Sequence, residues 1–414
     1  MKTSIVSLRL FVFLGLGLVA SAALGQSRSL DSLPQNPASR EYKRLDIFPA
    51  ISYSPETKLT LGAIGIYYLD LRKGDRQTPL SNIDFLAVYT LSKQVLLESR
   101  WEVFTHGRTW RTRGELLLQR YPDRNYGIGN DADVLVAEID QDGHRDTLNY
   151  LNFNSNRIRF SPVVLRKMRH NLYVGLQSDL EYLYNYKVIP DQYVFLNADS
   201  TRIREIPVAG LRSGIGFQVL YDNRDNLINP VKGTLVEFND RHYGKWLGSD
   251  FDFHYFSLEL RQYFNPWSNH TVALRGLASL EYTNEAVPLR ALSRVGGHKF
   301  IRGYFRGTYQ DHHLLAFETE YRLPLWRENL SAKPWQVWKR LGLVGFLGGA
   351  QVYRDAKQLS LAQFNLAVGG GLRILLNKTS RSNLRIDYAV ALRDDSAGPG
   401  KRQSGFYFFL GEAF

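Results

Sequence analysis

Side chains suited to catalysis or cofactor binding are scarce and poorly grouped in this 414-residue sequence. There is no cysteine, which excludes disulfides, thiolate metal sites and cysteine nucleophiles. The motifs of serine hydrolases (Gly-x-Ser-x-Gly), zinc peptidases (His-Glu-x-x-His) and phosphate-binding loops are also absent. We therefore predict that the protein is not an enzyme and that it has neither a metal nor a cofactor.

Two histidines and a group of aspartates are the remaining candidates for metal binding. His312 and His313 are neighbours at the start of a predicted strand, where adjacent side chains point to opposite faces, so joint ligation is not favoured. Asp140, Asp142 and Asp146 weakly resemble a calcium loop but lack its full set of ligands. We interpret this segment as an exposed acidic loop.

The polar side chains lie in segments in which apolar and polar residues alternate. In 384–392, Leu384 and every second residue after it are apolar, whereas Arg385 and Asp387 are charged. This period of two predicts β-strands with one apolar and one polar face. Strands are predicted to begin near residues 46, 58, 81, 95, 109, 150, 170, 208, 234, 251, 271, 312, 341, 364, 383 and 404.

The aromatic content separates a membrane barrel from a water-soluble β-sandwich, which would alternate in the same way. Aromatic residues make up 13% of the chain, as expected for the girdles of a barrel at the two membrane interfaces. The mean hydropathy of −0.28 is compatible with a barrel, because only every second strand residue meets lipid. We predict an all-β fold, a transmembrane antiparallel β-barrel of about 16 strands closed by pairing of its first and last strands.

The net charge of +12 raises the question of nucleic-acid binding. Lys and Arg are dispersed along the chain rather than gathered in one basic arm. We interpret them as charges of the lumen and loops, some of which face anionic lipid headgroups, and predict no nucleic-acid partner.

The N-terminus has the features of a secretory signal peptide. Lys2 and Arg9 precede an apolar stretch that ends in small residues, which predicts a cleaved signal over 1–25. Residues 26–43, rich in Ser and Pro, are interpreted as a short periplasmic linker, and 44–414 as the barrel. With the N-terminus in the periplasm, the long connections 122–149, 187–207 and 284–311 are expected to be extracellular, and short ones at 92–94 and 377–381 periplasmic.

The C-terminal residues form an apolar face of their own. Phe406, Phe408, Leu410 and Phe414 are separated by even spacings, with Glu412 the one polar residue among them. We expect the chain to end inside a strand that pairs with the first strand, since no backbone group of a barrel wall can stay unpaired in lipid.

Three segments together resemble the bacterial surface antigen family, which includes the BamA/TamA outer-membrane assembly and transport barrels. The first segment resembles the family's periplasmic turn after the eighth strand, through Asp222, Arg224, Asp225, Pro230 and Gly233. In such a turn Pro230 fixes φ and Gly233 permits a positive φ. The third is the C-terminal strand described above, which resembles the signal read by the barrel assembly machinery.

The second segment lies between the predicted eleventh and twelfth strands. Ile301, Arg302, Gly303 and Tyr304 match the family's Val/Ile/Leu-Arg-Gly-Phe/Tyr tip position by position. The resemblance implies that this loop folds back into the lumen and that Arg302 bonds to an acidic residue on the wall, because a guanidinium in a partly dry lumen needs a carboxylate.

The acidic partner that the resemblance implies is Glu320 on the twelfth strand, or the nearby Glu318. The family often has a second acid on the thirteenth strand, where this sequence has Gly348. We therefore expect one acidic partner fewer than usual.

The resemblance also implies a function and partners. It implies a role in outer-membrane protein or lipid assembly or transport, in which a lateral seam between the first and last strands opens and no bond chemistry occurs. The implied partners are outer-membrane lipids and lipopolysaccharide, the barrel assembly machinery during biogenesis, and unfolded outer-membrane clients. The family's periplasmic POTRA domains have no counterpart in 26–43, so the resemblance is to short members without them. A passive outer-membrane pore and a structural surface antigen remain alternatives.

Overall fold

Alternating side chains give antiparallel strands in almost every described part of the chain. The computed structural model describes residues 45–54, 58–72, 75, 78–91, 93–131, 134–139, 145–189, 193–197, 206–267, 270–325, 336–377, 381–394, 402–410 and 412–414. The predicted signal peptide and linker lie outside these residues.

The strands follow the predicted order. Numbered along the chain, they are β1 (Leu45–Ser54), β2 (Lys58–Leu69), β3 (Ser81–Thr90), β4 (Val95–Phe104), β5 (Trp110–Asn125), β6 (Val136–Ile139), β7 (Arg145–Leu148), β8 (Leu151–Arg169), β9 (Leu172–Ile189), β10 (Tyr193–Phe195), β11 (Gly210–Asp222), β12 (Gly233–Tyr243), β13 (Phe253–Phe264), β14 (Thr271–Tyr282), β15 (Ser293–Val295), β16 (Tyr309–Asp311), β17 (His313–Pro324), β18 (Leu341–Tyr353), β19 (Asn365–Asn377), β20 (Ser382–Ala391) and β21 (Ser404–Leu410). Short 3-10 helices occur at His106–Arg108, Lys245–Leu247, Val337–Arg340, Ala356–Gln358 and Leu361–Gln363. Within the described residues, no helix is long and apolar enough to cross a membrane.

One antiparallel sheet forms the wall of the barrel. Sixteen of the described strands are joined in chain order in this sheet, while β6, β7 and β10 form a second sheet and β15 and β16 a third. The predicted strand number is therefore confirmed, and each wall strand begins within two residues of its predicted start.

The two ends of the barrel carry different connections. The connections that follow β5, β9 and β14 leave from one end, which we call the long-loop rim, and they contain all the described strands outside the wall. The short turn at residues 92–94 joins β3 to β4 and so lies at this same rim, contrary to the prediction of a periplasmic turn. The ends of β19 and β20 that the predicted turn joins lie at the opposite end, the short-loop rim, while residues 378–380 of that turn lie outside the described residues.

The two faces of the wall have opposite chemistry. On β20, Tyr388 is 42% exposed on the outer face, whereas Arg385 and Asp387 on the inner face are 1% and 0% exposed. Large apolar side chains such as Phe85, Leu176 and Phe217 are likewise exposed on other strands. Charge inside and apolar side chains outside is the reverse of a soluble sandwich, and fits a wall that faces hydrocarbon.

The first and last strands meet over a short length. Among the described residues, β1 and β21 adjoin at one residue pair, Tyr53 with Phe408. By contrast, β21 is paired with β20 from Leu410 to Ser404. The predicted closure by full pairing of first and last strands stays a prediction, and we call the β1–β21 boundary the seam.

Candidate functional site in the barrel lumen

The connection between β14 and β17 enters the barrel interior. The hairpin of β15 and β16 flanks its tip, residues 296–304. Ile301 and Tyr304 of the tip are each 1% exposed. They pack in one cluster with inward-facing side chains of four wall strands, Leu314 and Ala316 of β17, Ala350 and Val352 of β18, Ala367 of β19 and Ala391 of β20.

Backbone conformations that favour glycine shape the tip. Gly303 has a φ of 114°, and Gly296 one of 102°. A Cβ atom on Gly303 would lie 3.0 Å from the carbonyl carbon of Val390 and 3.1 Å from the Cβ of Ala367. Glycine therefore allows the tip to approach the wall more closely than any other residue would.

Arg302 lies between two carboxylates from different strands. Its Nη2 donates to Oε1 of Glu320 on β17, and its Nη1 donates to Oδ2 of Asp387 on β20 at 2.5 Å. Its guanidinium also lies over the ring of Phe346, 3.6 Å from the centroid. Burial acts to lower the pKa of Arg302, but the carboxylates of Glu320 and Asp387 outweigh it and raise that pKa above its ordinary value.

The expectation of one acidic partner was wrong. Asp387 supplies the second carboxylate, from the fifteenth wall strand instead of the thirteenth. The predicted position is Gly348, where a Cβ atom would lie 3.1 Å from Cδ1 of Ile301 and from Cγ of Glu318. The tip fills the space that a side chain at 348 would need, so the acid is provided from another strand.

Glu318 has a different role from Glu320. Its Oε1 accepts a hydrogen bond from the backbone N–H of Ile301 at 2.9 Å, and its Oε2 pairs with Arg275 at 3.0 Å. Glu318 therefore holds the backbone of the tip, whereas Glu320 holds the guanidinium of Arg302.

The tip also contacts the last strand, which sequence reasoning did not foresee. The N–H of Gly303 donates to the hydroxyl of Tyr407 at 3.2 Å. The ring of His298 stacks on that of Phe409, with 3.9 Å between centroids. Both aromatic residues belong to β21, so the tip links the wall at β17 and β20 to the strand at the seam.

A chain of ion pairs continues from the tip toward the short-loop rim. Glu320 pairs with Arg322 at 2.8 Å, and Asp387 pairs with Arg373 at 2.5 Å. Arg373 in turn pairs with Glu412 at 2.9 Å. Each carboxylate in this series of ion pairs thus faces at least one guanidinium, which offsets the cost of removing these charges from water.

The predicted periplasmic turn joins β11 to β12 and is held by its own side chains. Asp222 accepts from Nε of Arg224 at 2.8 Å, and Asp225 accepts from the backbone N–H of Val231 at 2.9 Å. Pro230 is buried, and Gly233 has a φ of 109° with the Cα of Arg224 2.7 Å from the position of a Cβ. Asp225 also pairs with Arg381 of the turn between β19 and β20, at 2.7 Å. The turn is therefore tied to another turn of the same rim.

The C-terminal residues do not form one face. Phe406 is 59% exposed on β21, Phe408 pairs with Ile386 of β20, and Leu410 is the last residue of the strand. Phe414, however, is 6% exposed and packs inside the barrel against Tyr263 and Ala273. The expectation that the chain ends inside a strand was wrong.

Glu412 accounts for this change of direction. It accepts from Nε of Arg373 at 2.9 Å and from the amide of Asn383 at 2.6 Å. Both partners line the lumen, so Glu412 lies inside the barrel with its carboxylate hydrogen-bonded.

The histidine and aspartate candidates do not form a metal site among the described residues. His312 contacts a carboxylate oxygen of Glu281 at 2.7 Å, whereas His313 accepts from the backbone N–H of the same residue at 3.1 Å. No group of three or more His, Asp or Glu side chains in the described part of the chain is placed to hold a metal ion. Asp140 and Asp142 lie outside the described residues, and Asp146 is part of β7.

Comparison with known proteins identifies what this barrel is similar to. Residues 99–414 match the model of the Omp85 superfamily domain. A search of curated proteins found no significantly similar sequence.

Similar folds occur among solved structures. The chain superposes on BamA from Haemophilus ducreyi lacking POTRA domains 1–3 with a TM-score of 0.55 and 12% identity, over 89% of this chain and 70% of that one. It superposes on CdiB from Escherichia coli with a TM-score of 0.58 and 10% identity, over 91% of this chain and 64% of that one. For CdiB from Acinetobacter baumannii the TM-score is 0.51 at 10% identity, over 89% and 60% of the two chains. At these identities the likeness concerns the fold.

Proposed function

The chain belongs to the Omp85 superfamily, and we propose that it acts in outer-membrane protein or lipid assembly or transport through the seam between β1 and β21. The mechanism is non-enzymatic. Its partners are outer-membrane lipids, including lipopolysaccharide at the long-loop rim, and unfolded outer-membrane clients, while the barrel assembly machinery acts during its own biogenesis.

The short contact at the seam supports this proposal. Among the described residues, β1 and β21 share one pair, while β1 is paired with β2 at every residue from Leu45 to Ser54. Backbone N–H and C=O groups left unpaired in hydrocarbon are costly, so a strand edge in this position favours pairing with another strand. A client strand would add to this edge through its main chain.

The tip gives the seam a fixed inner support. It bonds to Tyr407 and stacks on Phe409, the inward-facing residues on either side of Phe408. Because the tip holds β21 from the lumen, the edge of β21 keeps its position while β1 separates from it. In the proposed cycle the tip stays bound to β21, and β1 moves away.

A disulfide lock tests the seam. The chain has no cysteine, so Tyr53→Cys with Phe408→Cys introduces one disulfide across the seam. We expect the locked variant, expressed in place of the natural protein, to deplete specific outer-membrane proteins or lipids, with recovery after reduction. Quantitative proteomics and lipid analysis of the outer membrane measure the effect.

The matched control is a disulfide from the same residue of β21 to its other neighbouring strand, β20. Ile386→Cys with Phe408→Cys joins β20 to β21, which are already paired, and is expected to leave the outer membrane unchanged. Equal outer-membrane composition with both locks and with the wild type would contradict a function at the seam.

A further inference from the structure

A group of arginines gathers in the lumen near the long-loop rim, apart from the tip. Arg290 and Arg294, from the connection between β14 and β17, both approach Oδ2 of Asp123 on β5, at 3.3 and 3.5 Å. Asp123 lies two residues before the end of β5, where that strand reaches the long-loop rim. One carboxylate oxygen thus faces two guanidinium groups.

Several N–H groups of these two arginines have no acceptor within the described part of the chain. Arg290 donates through Nη2 to the hydroxyl of Ser155 at 3.2 Å, and Arg294 donates through Nη2 to the carbonyl of Leu289 at 2.9 Å. Among the described residues, Nε and Nη1 of Arg290 and Nε of Arg294 are buried without a hydrogen-bond partner. The side chain of Arg290 is 3% exposed. Buried donors of a charged group that lack an acceptor are costly, and such groups point to an acceptor outside the described residues.

The neighbouring ion pairs do not balance the positive charge. Next to the group, Arg157, Arg159 and Arg212 pair with Asp179 and Glu181 on β9. Arg159 also pairs with Glu115 at 3.5 Å, so with Asp123 four carboxylates face these five guanidinium groups. Burial lowers the pKa of Arg294, and although Asp123 opposes this, the like charges of Arg290, Arg306 and Arg157 lower it further, to about 9.

We propose that Arg290 and Arg294 form a binding site for a phosphate-type oxyanion in the lumen. The unpaired donors are three nitrogens on two residues, and the two guanidinium groups share one carboxylate, which matches an anion with several acceptor oxygens better than a single carboxylate. The anion is free phosphate or the phosphate of a lipid headgroup or lipopolysaccharide that enters from the long-loop rim. Asp123 orients both guanidinium groups and repels the anion. The site does not depend on the seam.

Binding of inorganic phosphate to the purified full chain in detergent tests the proposal. We expect saturable binding by titration calorimetry at constant ionic strength, with chloride as the reference anion. Arg290→Gln and Arg294→Gln should each weaken phosphate binding by about tenfold, the loss of one or two charged hydrogen bonds. Asp123→Asn should strengthen it, because the competing negative charge is removed. Weaker phosphate binding by the arginine variants and stronger binding by Asp123→Asn would distinguish a binding role from a general loss of structure, which would weaken binding in all three.

Arg261→Gln is the matched control. It removes a lumenal guanidinium that pairs with Glu259 at 2.7 Å on β13, and phosphate binding should be unchanged. Heat-resistant migration in gels establishes that each variant is folded, and if Arg290→Gln is not, Arg294→Gln and Asp123→Asn decide. The absence of phosphate binding above chloride, or wild-type binding by both Arg294→Gln and Asp123→Asn, would overturn the proposal.

A second arm distinguishes the two sources of phosphate. Short-chain phosphatidic acid, with short-chain phosphatidylcholine as the control lipid, is titrated into the same preparations. Binding that is tighter than that of inorganic phosphate and depends on Arg294 identifies a lipid phosphate, whereas binding of inorganic phosphate alone identifies a solute. Either result supports the site, and binding of phosphatidic acid that is insensitive to Arg294→Gln counts against it.

Discussion

At the residue scale, Arg302 concentrates the interactions of the tip. Its guanidinium binds two carboxylates, one on β17 and one on β20, and these two strands are not neighbours in the sheet. Because all three groups are buried, removal of the guanidinium leaves Glu320 paired with Arg322, and Asp387 paired with Arg373 and, at 3.5 Å, with Arg385. The tip would then lose its charged attachment to the wall.

We predict that Arg302→Ala destabilises the folded barrel by about 3 kcal/mol, the cost of breaking a buried ion pair from one side. Asp387→Ala should cause a comparable loss if both acids hold the guanidinium. The measurement is the temperature at which heat-resistant migration in gels is lost, together with digestion by protease added to whole cells.

The control removes an exposed ion pair instead. Arg402 pairs with Asp394 at 3.0 Å, and both side chains are largely exposed, so Arg402→Ala should change little. Wild-type behaviour of Arg302→Ala in both assays would show that the tip is held by other contacts. Wild-type behaviour of Asp387→Ala alone would restore Glu320 as the one necessary acid.

The sequence identifies Glu320 but not Asp387 as a partner of Arg302, and the reason is geometric. Alternation assigns Asp387 to the inner face together with Arg385, so its direction was predictable. Its height relative to the tip depends on the stagger between strands, which accumulates around a barrel and leaves no local signal. The same limit hid the contacts with Tyr407 and Phe409.

At the element scale, the wall strands follow directly from alternation and turn residues. Each starts within two residues of its predicted position, because the inner and outer faces impose the register. The small sheet of β6, β7 and β10 was predicted only as loops. Its strands are three or four residues long, and β10 pairs with β6 from a different connection, so the pairing partner is remote in sequence.

The conformation of the tip depends on one close approach, which a glycine substitution tests. Gly303→Ala adds a methyl group 3.0 Å from the backbone of Val390, at a φ of 114°. We predict a loss of about 2 kcal/mol from strain and displacement of the tip, measured as an earlier loss of heat-resistant migration.

Gly307→Ala separates the effect of backbone strain from the effect of the close approach to Val390. Gly307 also has a positive φ, of 79°, but its nearest neighbour would be 3.8 Å from a new Cβ atom. This variant therefore reports backbone strain alone and should be less affected than Gly303→Ala. Equal effects of the two substitutions would mean that the approach to Val390 contributes nothing.

At the scale of the whole molecule, the barrel combines a polar lumen with a loop that occupies it. The apolar outer face and charged inner face were predictable from the sequence, and so was the family. The extent of pairing between β1 and β21 was not predictable from the sequence. These strands lie at the two ends of the described chain, so no turn joins them and fixes their register. A passive pore and an assembly barrel differ at this scale, because a pore needs an open lumen.

Conductance in planar bilayers separates these two functions. The wild-type barrel should give small, irregular openings, because the tip packs against β17, β18, β19 and β20 inside the lumen. Replacing residues 297–303 by a short Gly-Ser linker removes the buried Ile301 and Arg302 and should produce a larger and steadier current. Deletion of the exposed turn 245–248, at the same rim, is the control and should conduct like the wild type. A large steady current through the wild-type barrel would favour the passive pore, because the tip would then leave an open path beside it.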